Sequence, residues 1–157
     1  MSSAQKTIIK KQLLFLLRGG NAHTPIKRAI NTFPGELINK RIENISYTPW
    51  QLLEHLRIVQ HDIIQFILNS DYVAPKWPDD YWTELNENAD KSKWKTSQEK
   101  FFSELDEMEK FIKDDSVDLF APIPHSENYT IFREILVLAS HNSYHIGQMM
   151  LIKKMFS

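Results

Sequence analysis

The sequence contains no cysteine, and this absence narrows the chemistry that the chain can perform. Disulfide bonds, cysteine-ligated zinc sites and a thiol nucleophile are all excluded. Any reaction of a thiol at this protein would therefore need a thiol supplied from outside the chain.

Long apolar runs and an excess of charge are missing as well. No apolar run approaches the about 20 residues of a membrane-spanning helix, and the first residues, MSSAQKTIIKKQ, lack the apolar segment and cleavage site of a signal peptide. With 19 basic and 20 acidic residues, the net charge is −1, which gives no electrostatic footprint for nucleic acid or an anionic membrane. We therefore expect a cytoplasmic protein with neither nucleic acid nor membrane as a partner.

Strand signals are absent, whereas apolar residues recur at helical spacing along most of the chain. A length of 157 residues with 42% hydrophobic content is typical of one globular domain, which we take to span residues 1–157. The pattern predicts an all-α protein, an irregular four-helix bundle. The long helices are expected from Ser3 to Leu17, from Pro49 to Leu68, from a capping box at Thr96 and Glu99 through Ile112, and from Asn128 or Thr130 almost to the C-terminus.

The segment SHNSYHIGQ, which begins at Ser140, carries the strongest indication of function. His141 and His145 are four residues apart and project from the same face of a helix, about 6 Å apart along its axis. Leu138 and Ile152 share that face, so the two imidazoles point toward the core, where they need polar partners. Each could be a core histidine bonded to a carbonyl or a carboxylate. The spacing also fits half of a divalent-metal site, which requires a third ligand.

His55 is the strongest candidate for that third ligand. It lies between Leu52 and Val59 on the apolar face of the second long helix. His61 shares the polar face of the same helix and is expected to be solvated. The remaining histidines fall in connections between helices and are weaker candidates: His23 and His125.

Several polar residues near these histidines are candidates for supporting roles. Gln148 follows His145 by three residues and is expected to orient a ligand, and Tyr144 is a candidate hydrogen-bond donor. Asp62 and Glu134 lie two turns from His55 and His141 on similar faces. Either carboxylate is a candidate base, but we favour the interpretation that both are surface charges or form ion pairs with Arg57 or Arg133.

The connection from Asp71 to about Lys95 is long and rich in aromatic residues. A span of this length without regular structure is usually functional or disordered, and its aromatic content argues against disorder. We expect most of these side chains to cap one end of the bundle, while one or two wall the site between the histidines. They are Tyr72, Trp77, Tyr81, Trp82 and Trp94.

Four segments together resemble the DinB-like superfamily, which includes YfiT-type metal-dependent hydrolases, bacillithiol transferases and mycothiol-dependent maleylpyruvate isomerases. They are LRGGNAH from Leu17, SYTPWQLLEHLRIVQ from Ser46, WPDDYW from Trp77 and ASHNSYHIGQ from Ala139, the last being the most specific. The resemblance covers nearly the whole chain. It implies a bundle of the DinB/YfiT type with a metal held by His55, His141 and His145. Similar sequences often have an aspartate where this chain has Ser140, so the surroundings of the ligands differ here.

Three neutral imidazoles would leave a divalent ion its full charge and at least one open coordination position, as in catalytic sites. Zinc is the first choice, with nickel, iron and manganese as alternatives, because three nitrogens select weakly among these metals. The resemblance implies a hydrolase, or a transferase that adds a low-molecular-weight thiol to a small electrophile. The alternative is a helical bundle that binds a metal or ligand without catalysis. We also expect a homodimer, because similar proteins often pair and this chain is rich in Phe, Trp and Met.

Overall fold

The computed structural model describes residues 1–126 and 128–156, and its regular structure is helical. Within these ranges the extended structure is limited to one isolated bridge between Pro122 and Thr130. None of the helices that they contain is long and apolar enough to cross a membrane. The predicted all-α class is confirmed.

The five α-helices of the described ranges are α1, Ser3–Arg18; α2, Ile26–Asn31; α3, Pro49–Leu68; α4, Lys91–Lys113; and α5, Ile131–Met155. Short 3-10 turns occupy Gly35–Leu37 and Asp79–Tyr81.

Side-chain caps fix where the two site-bearing helices begin. At the start of α3, the Thr48 hydroxyl accepts from the Gln51 amide and the Gln51 side chain accepts from the Thr48 amide, while Pro49 fills the first helical position. The Thr130 hydroxyl accepts from the Arg133 amide at the start of α5. Both starts agree with the sequence-based expectation, and so does the end of α3 at Leu68.

The start of α4 differs from the prediction. The helix begins at Lys91, because the carboxylate of Asp90 accepts a hydrogen bond from the Lys93 amide at 2.7 Å and caps it there. Thr96, the predicted cap, is exposed within the helix. The additional turn buries Trp94, whose ring packs on Phe33 with centroids 5.7 Å apart. The connection after α3 is correspondingly shorter than predicted.

The four long helices pack in a ring in the order α1, α4, α3, α5, so that α3 lies between α4 and α5. The short α2 packs on α5 and α4. Adjacency of α3 and α5 was expected, because these helices carry the candidate ligands. Their facing surfaces supply much of the core, including Leu52, Leu53, Leu56, Ile135, Leu138 and Ile146.

Substitution Asp90→Ala should lower the free energy of unfolding by about 1 kcal/mol, the usual cost of losing a helix N-cap. Thr96→Ala should change it by less than about 0.5 kcal/mol, because Thr96 is an exposed position inside α4. Urea unfolding followed by far-UV circular dichroism measures both values. A larger loss for Thr96→Ala than for Asp90→Ala would show that α4 begins where the sequence pattern placed it.

Candidate metal centre

Three histidines meet between α3 and α5: His55, His141 and His145. One ring nitrogen from each lies within 4.8 Å of the others, and among residues 1–126 and 128–156 they form the one such group of potential metal ligands. The Nε2 atoms of His55 and His141 are 3.1 Å apart. The ring centroids are separated by 4.5 to 4.9 Å. The structure thus brings together the residues that the sequence singled out.

The backbone geometry explains this convergence. His141 and His145 are one helical turn apart on α5, and both lean toward α3. His55 sits in the second turn of α3, at a height fixed by the Thr48 cap. Because the two helices pack directly on each other, the three imidazoles lie together between them.

Two of the three rings are oriented by hydrogen bonds at Nδ1. Nδ1 of His55 donates to the backbone carbonyl of Tyr81 at 2.8 Å, and Nδ1 of His145 donates to the Gln148 side-chain oxygen at 2.6 Å. With the proton held at Nδ1, the lone pair is left at Nε2, the atom needed for a metal. Gln148 therefore has the supporting position that its spacing suggested.

His141 differs from its two neighbours, because its Nδ1 is buried without a hydrogen-bond partner among the described residues. Its ring is held by packing against the other imidazoles and by the contact between its Nε2 and that of His55. Ser140, where similar sequences often carry an aspartate, is exposed and next to it in the chain.

Burial keeps all three imidazoles neutral. It lowers the pKa of His55 from 6.5 to about 4, although the Tyr81 carbonyl works in the opposite direction. Burial, followed by the neighbouring His145 and His55, lowers the pKa of His141 to about 3. The pKa of His145 is also lowered by burial. Neutral imidazole is the form that binds metal, so the donor set fits a divalent ion across the physiological pH range.

Aromatic rings wall one side of the group. The indole of Trp82 lies parallel to the His55 ring, with centroids 3.9 Å apart and planes 3° apart, and Tyr47 stacks on the same indole with centroids 5.7 Å apart. The rings of Tyr144 and His145 meet at 79° with centroids 4.9 Å apart, and Tyr144 is 64% exposed. An open, mostly apolar groove along α5 borders His141; it is lined by Phe132, Arg133, Leu136, Val137, Ser140 and Tyr144.

The other histidines lie outside this group. The side chain of His61 is 45% exposed, in line with the expected solvated position, and its Nδ1 contacts Glu104 of α4 at 2.7 Å. Nδ1 of His23 lies 3.1 Å from the Thr24 carbonyl. His125 packs its ring against Phe66.

The two candidate carboxylate bases are engaged elsewhere. Glu134 is buried and forms an ion pair with Arg133, in line with the interpretation favoured from the sequence. Asp62 accepts a hydrogen bond from the Tyr81 hydroxyl at 2.7 Å instead of pairing with Arg57, whose partner is Glu54. Neither carboxylate belongs to the histidine group.

Two contacts of the site were not foreseen from the sequence: the carbonyl of Tyr81 and the stacked indole of Trp82. Every residue has a carbonyl, so no side-chain signal could have identified the first. The indole was one of several aromatic residues in the connection, and only its cluster was predictable. Comparison of the chain with protein-family models, with curated proteins and with solved structures found no match.

The free energy of unfolding of the metal-free protein should fall as the pH is lowered from about 6.5 toward about 4. Because the pKa of His55 is 6.5 ordinarily and about 4 in the folded chain, the unfolded chain binds more protons than the folded one between these values. The stabilisation is therefore complete above about pH 6.5 and is lost on acidification. Urea unfolding in the presence of a chelator, at several pH values in this window, measures the slope.

Matched substitutions test whether this pH dependence of the free energy of unfolding comes from the histidine group. His141→Gln should flatten it, because it removes a group whose folded pKa is about 3. His125→Gln, outside the histidine group, should leave it unchanged. An unaltered slope in His141→Gln would contradict the neutral state of the buried imidazoles.

Proposed function

We propose that this protein is a metal-dependent enzyme of the DinB-like superfamily, with a four-helix bundle of the DinB/YfiT type. The observation that carries the proposal is the convergence of three neutral imidazoles, with one nitrogen of each within 4.8 Å of the others. The proposed ligands are His55, His141 and His145. The motif resemblance supports the same assignment, and the ring of long helices is compatible with it.

The proposed metal is zinc, with nickel, iron and manganese as alternatives, because three imidazole nitrogens discriminate little among these ions. An ion held there supplies a Lewis-acid position for a water, a thiol or a carbonyl oxygen. The chain's own residues then have separate tasks. The Tyr81 carbonyl and Gln148 orient two ligands, Trp82 keeps water from one face of His55, and the groove beside His141 offers access for a small-molecule substrate.

Between the two proposed reactions, transfer of a low-molecular-weight thiol to an electrophile is favoured over hydrolysis. Hydrolysis usually requires a base to deprotonate water, and both nearby carboxylates are committed to other partners. A thiol is a stronger nucleophile and needs less assistance. Since the chain has no cysteine, the thiol would come from outside the protein.

The second candidate is a bundle that binds a metal or a ligand without catalysis. The absence of a carboxylate from the histidine group, within the part of the chain that the structure describes, favours this candidate. The open groove beside His141 favours the enzyme, because it would give a small-molecule substrate access to the histidine group.

We also propose that the protein is a homodimer. Support comes from α1, where Ile8, Phe15 and Leu16 expose more than two-fifths of their surface. Exposed apolar side chains grouped on one helix are typical of a surface that a partner covers.

The wild-type protein should bind about one Zn²⁺ per chain, and His55→Ala and His145→Ala should each abolish binding, because two imidazoles make a weak site. His61→Ala is the matched control on α3 and should bind normally, since its partner is Glu104. The metal content of the wild type and of the three variants is measured after gel filtration. Chelation should lower stability only modestly, because the apolar side chains of the helices can form a core without the metal. Loss of metal in His61→Ala with retention in His55→Ala would contradict the assignment.

Turnover is tested with a panel of esters, amides and electrophiles, each with and without small thiols. The wild type should convert at least one class, most readily an electrophile with a thiol, and His141→Ala should fall to background at a matched unfolding temperature. His61→Ala should keep the wild-type rate. Turnover that survives removal of the metal would contradict the mechanism. No turnover with any class, together with a metal that lacks exchangeable water, would favour the non-catalytic candidate.

A further inference from the structure

The connection between α3 and α4 reaches the histidine group through two consecutive residues. The carbonyl of Tyr81 accepts from Nδ1 of His55 at 2.8 Å, and the indole of Trp82 covers the face of the same ring at 3.9 Å. His55 is therefore held at one edge and on one face by a segment that has little regular structure of its own. Its orientation depends on what keeps that segment in place.

The side chain of Tyr81 supplies the attachment. It is buried, with 7% of its surface exposed, and its hydroxyl donates to Oδ2 of Asp62 at 2.7 Å. Asp62 lies on α3, seven residues after His55, and therefore two turns along nearly the same face, about 10 Å away. Two residues of α3 thus hydrogen-bond to Tyr81: His55 binds its backbone carbonyl, and Asp62 binds its hydroxyl.

We propose that Asp62 is a positioning residue for the metal centre: by holding the hydroxyl of Tyr81, it keeps the Tyr81 carbonyl on Nδ1 of His55 and so fixes the tautomer and direction of that ligand. The effect on metal affinity rests on the proposed function, whereas the effect on His55 does not.

Tyr72 provides a matched control. Its pKa is raised to about 12 by burial and then by the negative charge of Asp62, so its hydroxyl lies near the same carboxylate. Its backbone amide bonds to the Asn69 carbonyl, not to a histidine of the group. Tyr72→Phe therefore alters the surroundings of Asp62 without cutting the link from Asp62 to His55.

The experiment compares wild type, Asp62→Ala, Asp62→Asn, Tyr81→Phe and Tyr72→Phe in two measurements. Long-range ¹H–¹⁵N NMR of the metal-free proteins gives the tautomer of His55, and competition with a chelator gives the affinity for Zn²⁺. Asp62→Ala and Tyr81→Phe should mix the His55 tautomers and weaken Zn²⁺ binding by about 10-fold, the lower end of the usual effect of losing a group that orients a ligand. Asp62→Asn keeps a hydrogen-bond acceptor and should stay near the wild type, as should Tyr72→Phe.

An unchanged tautomer and affinity in Asp62→Ala and Tyr81→Phe would overturn the positioning role and leave the metal centre standing. Asp62→Asn behaving like Asp62→Ala would also overturn it, since the amide retains the acceptor. If the wild type binds no Zn²⁺, the proposed function fails, and the tautomer measurement still decides the role of Asp62. Should Asp62→Ala not fold, Tyr81→Phe removes a single oxygen atom and carries the test.

Discussion

The packing of α3 against α5 is the constraint on which the rest of the site depends. It places three imidazoles in one small space, where two are buried and His141 is partly buried. Burial of polar rings is unfavourable unless they find hydrogen bonds, and burial of charged rings is more so. The three imidazoles avoid the cost of a buried charge by staying neutral, as the lowered pKa values of His55 and His141 indicate. The cost of burying polar rings is offset only in part, because hydrogen bonds at Nδ1 are made by His55 and His145 alone among the three.

The connection between α3 and α4 completes what the two helices cannot supply. Helices satisfy their own backbone groups, so a free carbonyl for Nδ1 of His55 has to come from outside them. Tyr81 provides it from the end of a 3-10 turn, and Trp82 and Tyr47 add a stacked layer that shields the ring from solvent. The aromatic content of this segment therefore serves the site more directly than a cap on the bundle would.

Whether a feature of the structure could be predicted depends on the kind of signal that it leaves in the sequence. The bounds of α3 and the approach of His55 to His141 and His145 were predictable, because helical spacing determines which side chains share a face. The start of α4 was not, because the capping box at Thr96 and Glu99 is a local signal, whereas the helix begins at Lys91 and buries Trp94. The link from Asp62 through Tyr81 to His55 could not be predicted, because it depends on a backbone carbonyl and on a tertiary contact between residues 19 positions apart.

The three histidines differ in their hydrogen bonding at Nδ1, and this difference bears on selectivity. His55 and His145 are each fixed by a hydrogen bond at Nδ1, whereas Nδ1 of His141 has no partner in the described residues. His141 also borders the open groove along α5. On the proposed function, the three imidazole nitrogens impose little preference of their own among divalent ions, so the metal would be selected more by availability than by the geometry of the protein.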